Sequence, residues 1–358
     1  MAKGGRLLGV DLLRGLAAYG VVLIHSLGNQ PRAVSTERFV ALFLGFAVPY
    51  FLAVSLYLTA GRLLASGPRG FLRGRLERLV VPYLVWTLIF VAFRSLLYVA
   101  TGRRNDLRSL LTSPLPLLFL GEASAQLYFI PLLIVGELMA VGLVAVLGDR
   151  LRRPAVVVPF AVIGVAVSWF DTFRREPMLK DRCAPDLTRI GLNELSYVLW
   201  CLPFLALALL FQLEPVRRRV GSIPGGFLPL LGVALLGVDL VNMTSAAEPY
   251  FPYTTRELVV AFGGLAFGIA VSPFVAPTRW LESLSACTFG IYLMHPLVIE
   301  FLEQVMTRTG LLRGVTVTPP LIAPFAALAF AITWGLVAVS IRVPLLARVL
   351  YGVRPKAV

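Results

Sequence analysis

Long apolar stretches alternate with short polar segments along the whole chain. About ten of them are about 17–25 residues long, the length an α-helix needs to cross ~30 Å of hydrocarbon. Helices are expected because an open sheet cannot satisfy its backbone in lipid. The predicted spans are Asp11–Asn29, Arg38–Gly61, Leu79–Ala100, Gln126–Leu147, Ala155–Phe170, Asn193–Gln212, Ile223–Val241, Leu258–Pro273, Leu284–Val305 and Leu321–Arg342. The pattern therefore predicts an all-α integral membrane protein with one transmembrane domain over residues 1–358.

Two segments do not fit the pattern of full spans. The apolar run Leu110–Leu120 is short and is broken by Pro114 and Pro116, so we expect a re-entrant or interfacial segment over residues 108–121. Residues 171–192 are polar and contain two prolines. They are predicted to form an outer loop, either a lid or a connector.

Composition agrees with a membrane location. Hydrophobic residues make up 58% of the chain and charged residues 15%, against roughly 45–50% and about 25% in ordinary soluble domains. The net charge is +14, but the arginines lie mostly in short segments between apolar runs, so they indicate topology rather than nucleic-acid binding. Their excess in alternate loops places both termini in the cytoplasm of a multi-pass protein of the plasma or inner membrane.

The first predicted span carries three ionisable residues on one face. Arg14 and His25 are about 20° apart around the helix, and Asp11 is within about 40° of His25. His25 lies about 16 Å further across the membrane than Arg14. A charge at the end of a membrane helix costs little free energy, so Asp11 and Arg14 also fit a simple interfacial ion pair. A titratable imidazole inside lipid is costly, which favours a functional role for His25.

The second histidine of the chain lies at a similar depth. Ser285, Thr288, Tyr292 and His295 follow helical spacing and form one polar stripe on a late span. His295 is about 18 Å from the start of that span, and His25 is about 21 Å from the start of its own. The two histidines are therefore candidates for one site, although Tyr292 and His295 would also suit anchors at the outer headgroups.

A basic segment precedes the third span. Arg75 and Arg78 are about one helical turn apart, so their guanidinium groups can both face a phosphate. Topogenic charge and contact with lipid headgroups are the other interpretation. Within the spans, Arg94 with Glu137 or Glu194 is predicted to form a structural pair. No metal-binding or nucleotide-binding motif is present, so no metal site is expected.

Four segments in order resemble the membrane acyltransferase-3 family, and together they cover almost the whole chain. They are Arg14 with His25, the segment Val48–Ser55, the segment Arg75–Tyr83 and the segment Gly290–Pro296. The family's Ser-Gly pair in the second helix is Ser55–Leu56 here, and the residues from Gln126 to Phe129 stand in place of its usual aromatic motif.

The resemblance implies an acyltransferase that uses cytoplasmic acyl-CoA, most simply acetyl-CoA, as a cosubstrate, with no bound cofactor. The acceptor would be a hydroxyl of a cell-envelope glycan or lipid, as in the O-acetylation of a surface polysaccharide. Arg75 and Arg78, with help from Arg14, would meet the donor phosphates. His25 would act as general base or carry the acyl group transiently, and Tyr292 or His295 would stabilise the oxyanion or orient His25.

Two other classes of function remain open. A proton-coupled transporter or a lipid or glycan flippase would use Glu194, Asp239 and His25 as a proton relay. The sequence shows no two-half repeat and no paired broken helices, which such transporters often have. The third class is a scaffold subunit of an envelope-assembly complex.

Overall fold

A computed structural model of the chain describes residues 6–69, 71–112, 114–172, 186–244 and 253–353. These residues are helical throughout, apart from short connections and one isolated bridge between Arg32 and Val317. The helices are α1 Leu8–His25, α2 Val34–Ser66, α3 Phe71–Ala100, α4 Arg104–Thr112, α5 Pro114–Phe119, α6 Phe129–Leu147, α7 Pro154–Thr172, α8 Asp186–Gln212, α9 Glu214–Gly221, α10 Leu228–Thr244, α11 Tyr253–Val271, α12 Arg279–Arg308, α13 Pro319–Ser340 and α14 Pro344–Tyr351.

Eight helices in the described part of the chain are long and apolar enough to cross a membrane. A ninth span results if α9 and the segment Gly225–Val238 are counted together, although the chain bends by 81° between them. The predicted span Ala155–Phe170 falls within α7, Pro154–Thr172. The all-α membrane class is thus confirmed, and the exact number of ten spans stays a prediction.

The two irregular segments have partly helical structure. Residues 104–119 contain the short helices α4 and α5, which are too short to span a bilayer. In the predicted outer loop, residues 173–185 lie outside the described residues, and α8 already begins at Asp186. The last seven residues of the predicted loop are therefore helical.

The chain divides into two compact units. Unit 1 comprises Met1–Tyr57 and Leu210–Val339, and unit 2 comprises Leu58–Leu209 and Ser340–Val358. In unit 1, α1 packs closely on α11 and α12. A Cβ atom added at Gly9 would lie 2.3 Å from the Gly268 oxygen, and one at Gly15 would lie 2.4 Å from Leu284. Small residues thus let these backbones approach, as is typical of helix pairs in membranes.

In unit 2, α3 packs against α14 and against the helices that follow it. The Trp86 indole donates a hydrogen bond to the Leu350 carbonyl oxygen at 2.9 Å, and the Tyr83 hydroxyl donates to Leu118 at 2.8 Å. Gly352 ends α14 with φ of +63°, and a Cβ atom there would collide with the Arg78 backbone. The basic start of α3 is therefore fixed by contacts along its length.

Candidate active site

Asp11 joins the N-terminal halves of α1 and α12. Its carboxylate is buried and accepts hydrogen bonds from Arg6 at 2.5 Å, from Arg14 at 3.3 Å and from the Ser285 hydroxyl of α12 at 2.7 Å. A charged group inside a protein persists when it is paired in this way. Asp11 is thus a paired charge that fixes Arg14 and ties the two helices together.

The two histidines meet further along the same helix pair. The ring centroids of His25 and His295 are 5.3 Å apart, with an angle of 40° between the ring planes. The contacts of Asp11 with Ser285 and of His25 with His295 follow the same order on both helices, so α1 and α12 run parallel. The structure therefore brings the polar stripes of α1 and α12 face to face.

His295 has one ring nitrogen in use and one free. The residue is fully buried, and its Nδ1 lies 3.1 Å from the Ile291 carbonyl oxygen. Because a carbonyl only accepts, Nδ1 carries the proton, and in the neutral ring Nε2 keeps a lone pair. That Nε2 is buried and has no hydrogen-bond partner in the described structure. A buried acceptor without a partner is unusual and is a feature of sites that bind or react.

Aromatic residues of α2 and α12 lie along the two polar stripes. The Tyr292 ring lies 6.1 Å from the His295 ring and 6.3 Å from the Phe51 ring, the latter in an edge-to-face contact. The Tyr50 hydroxyl donates to the Val10 carbonyl oxygen of α1 at 3.4 Å. The segment Val48–Ser55, noted in the sequence, thus packs beside both polar stripes.

Three further residues around His25 were missed by the sequence interpretation. Arg32 donates to the carbonyl oxygens of Ile24 and Ser26, at 3.2 and 2.8 Å. Glu303 of α12 accepts the backbone N–H of Leu27 at 2.7 Å. Arg32 lies between two predicted spans, Glu303 lies near the end of another, and neither belongs to a recognisable motif. Leu27 is one apolar residue among many. Only the fold shows that they meet at the end of α1.

The predicted phosphate-binding arginines lie in unit 2 and differ in their surroundings. Arg78 is exposed, whereas Arg75 is half-buried and directs two nitrogens at Glu137 of α6, at 2.7 and 2.6 Å. The predicted pairing of Arg94 with Glu137 is therefore wrong. The physical reason is that α3 turns its N-terminal part towards Glu137, a packing detail that helical spacing does not specify.

Unit 1 also contains an apolar cavity of about 430 Å³. Apolar residues of α1, α2, α10 and α11 line it, among them Leu16, Phe43, Leu236 and Phe267. Leu16 is about 140° around α1 from Asp11, so the cavity lies away from the polar stripe. Within the described ranges, no group of three or more His, Cys, Asp or Glu side chains is placed to hold a metal ion.

The comparisons with known proteins agree with this architecture. A family model described as an acyltransferase domain matches residues 7–339, nearly the whole chain. No curated protein matches the chain, and no solved structure does either. Since the match runs from the start of α1 through α13 and includes both polar stripes, the chain belongs to the acyltransferase-3 family of membrane acyltransferases.

Proposed function

We propose that the protein is a membrane-bound O-acyltransferase, with both termini in the cytoplasm, in which His25 acts as general base. It would move an acyl group, most simply acetyl, from cytoplasmic acyl-CoA to a hydroxyl of a cell-envelope glycan or lipid. The observation that supports this best is the pair of half-buried His25 and fully buried His295, which offers proton-accepting nitrogens with no carboxylate bonded to either ring in the described structure. The family match supports acyl transfer as the reaction type.

The proposed chemistry requires one proton acceptor and one fixed orientation. Neutral His25 removes the proton of the acceptor hydroxyl while the oxygen attacks the thioester carbonyl carbon. The carbon–oxygen bond forms, the carbon–sulfur bond breaks, and the proton passes to the departing CoA thiolate. Such general base catalysis contributes typically about 10²–10⁴-fold.

His295 has the properties of an orienting partner in this scheme. Its protonated Nδ1 is committed to the Ile291 carbonyl oxygen, so its Nε2 can only accept. An N–H group of His25 directed at that Nε2 would leave the other nitrogen of His25 free as the base. Tyr292, next to His295, is the candidate to donate to the oxyanion of the tetrahedral intermediate.

The donor would be recognised by arginine. Guanidinium groups suit phosphate because they present several donors in a planar fork. Arg78 is exposed at the start of α3 and is the first candidate, and Arg75 would contribute the part of its guanidinium that Glu137 leaves free. In unit 1, Arg14 of α1, held by Asp11, is a separate candidate for contact with a phosphate.

The purified protein in lipid nanodiscs tests the proposed reaction directly. Supplied with acetyl-CoA and an extract of envelope glycans and lipids, it should release free CoA thiol and add the mass of one acetyl group to an acceptor. Acid quenching followed by mass spectrometry of the peptide that contains His25 separates the two roles of this residue. An acyl adduct on His25 would show a transient carrier, and its absence during turnover would favour the base.

The alternative of a proton-coupled transporter or flippase gains no support. Its proposed relay needs Asp239, whose side chain lies outside the described residues, together with Glu194 and His25. Proton-coupled flux in proteoliposomes without thiol release would favour that class and would contradict acyl transfer.

A further inference from the structure

The chain leaves α1 through a strained turn two residues after His25. Leu27 has φ of +52° and is the one non-glycine residue with positive φ among those the structure describes. Leucine disfavours this conformation because its Cβ atom crowds the backbone. Such residues persist only where their surroundings hold them, and they cluster at active sites. The turn at Leu27 therefore needs a restraint, and its position points to His25.

Glu303 supplies that restraint from α12. Its carboxylate accepts the Leu27 backbone N–H at 2.7 Å, and the Leu27 side chain is fully buried. Glu303 is about two turns beyond His295 on the same helix. One helix thus carries both the partner of the His25 ring and the group that fixes the turn after His25.

Arg32 restrains the same turn from the other side. One nitrogen of its guanidinium donates to both Ile24 and Ser26, the residues immediately before and after His25 in the chain. These carbonyls lie at the C-terminal end of α1, where the helix leaves acceptors unpaired and favours a cation. The segment that carries Arg32 is itself fixed, because Ala33 and Pro31 share backbone hydrogen bonds with Val317 at 3.0 and 2.8 Å.

We infer that Glu303 and Arg32 are positioning residues that hold His25 against His295 through the turn at Leu27. This inference rests on the proposed role of His25. His25 is the last residue of α1, and helix ends fray, so the helix alone does not fix its ring. His295 lies in the middle of α12 and needs no such support.

A double-mutant cycle between Glu303 and Leu27 tests the inference, with acyl transfer measured in nanodiscs. Glu303→Ala should lower kcat about ten- to hundredfold, since small misplacements of catalytic groups cost this much. The KM for acetyl-CoA should stay within about twofold of wild type, because the turn positions the base and does not bind the donor. In the L27G background, E303A should lower kcat by less than about threefold, because glycine adopts positive φ without the restraint from Glu303.

Conservative variants separate positioning from direct chemistry. Glu303→Gln keeps an oxygen that accepts the Leu27 N–H, and Arg32→Lys keeps a donor for the two carbonyls, so both should retain most of the wild-type kcat. Arg32→Ala should lose activity as E303A does. Gln304→Ala, at an exposed neighbouring position of α12, is the matched control and should match wild type.

The outcomes distinguish this inference from the proposed function. If H25A keeps full activity, the proposed role of His25, on which this inference rests, is wrong. If H25A is inactive while E303A and R32A match wild type, only the positioning inference is overturned. It is also overturned if E303Q is as impaired as E303A, or if E303A costs as much in the L27G background as in the wild-type chain.

Discussion

The Arg75–Glu137 pair and the His25–His295 pair are both polar contacts inside a hydrophobic protein, and they differ in what balances them. Glu137 is fully buried, and its charge is opposed by two nitrogens of Arg75. The histidine pair contains no fixed opposite charge, and one of its buried nitrogens has no partner in the described structure. The first arrangement holds helices in unit 2 in place, and the second leaves an acceptor available for a proton.

This difference explains why burial alone does not identify a catalytic residue. Arg75 neutralises the buried charge of Glu137, so this pair needs no ligand to balance it. The second carboxylate oxygen of Glu137 has no partner in the described structure. Removing one member of such a pair leaves an uncompensated buried charge. Removing a histidine from the other pair leaves no charge behind, so its loss should affect the reaction more than the fold.

The largest expected effect on stability is that of Glu137→Ala. It should lower the free energy of unfolding by about 1.5–3 kcal/mol, because the half-buried Arg75 would lose its charge-assisted hydrogen bonds to the carboxylate. Denaturant titration of the purified protein in detergent measures this difference. Asp106→Ala is the matched control, since the Arg103–Asp106 pair is exposed and should contribute at most about 1 kcal/mol. Equal losses for the two variants would contradict the proposed difference between the pairs.

His295 variants should change activity rather than stability. Glutamine can place an oxygen near the position of Nε2, whereas asparagine can reach only the position of Nδ1. We therefore expect His295→Asn to lower kcat about a hundredfold and His295→Gln to lower it about tenfold or less, on the scale of a general base and its support. Steady-state kinetics with acetyl-CoA measures both. A larger loss for glutamine than for asparagine would show that Nε2 does not orient His25.

Much of this arrangement was predictable from helical spacing. The stripes Asp11–Arg14–His25 and Ser285–Tyr292–His295 follow from the angular period of a helix, and the family resemblance from motifs within the same spans. Cross-helix contacts were not predictable in this way. Spacing along one helix does not say which face meets which neighbour. Of the two partners predicted for Arg94, Glu137 and Glu194, the first pairs with Arg75 instead.

The restraints on His25 show a second limit of the sequence. The positive φ of Leu27 has no sequence signal, because a glycine or asparagine would have indicated it and leucine does not. Glu303 lies 276 residues away along the chain. Such a contact exists only because α1 and α12 pack in parallel.

Substitution of Arg78 tests donor binding and should have a smaller effect. Arg78→Ala should raise the KM for acetyl-CoA about three- to tenfold with kcat unchanged, because a charge-assisted contact to phosphate contributes about 1.5–3 kcal/mol when fully formed and less at an exposed site. Arg104→Ala, at the exposed start of α4, is the control with unchanged KM. An unchanged KM in R78A would remove this residue from the donor site.

The smallest expected effect is that of filling the apolar cavity. A Cβ atom at Gly232 would meet the Phe267 ring at 3.6 Å, whereas one at Gly237 on the same helix would meet open space. Leucine at either position gains helix propensity of up to about 1 kcal/mol, and only Gly232→Leu also fills the cavity. The midpoint temperature of thermal unfolding should rise more for G232L than for G237L, and kcat should be unchanged in both variants. A loss of kcat confined to G232L would show that the cavity takes part in the reaction.

The most direct test of the central claim compares His25→Ala with wild type in acetyl transfer to the acceptor in nanodiscs. The variant should insert and unfold as the wild type does, bind acetyl-CoA with similar affinity and lose at least about 10²-fold in kcat. A correctly inserted H25A protein that transfers acetyl groups at the wild-type rate would contradict the claim that His25 accepts the proton.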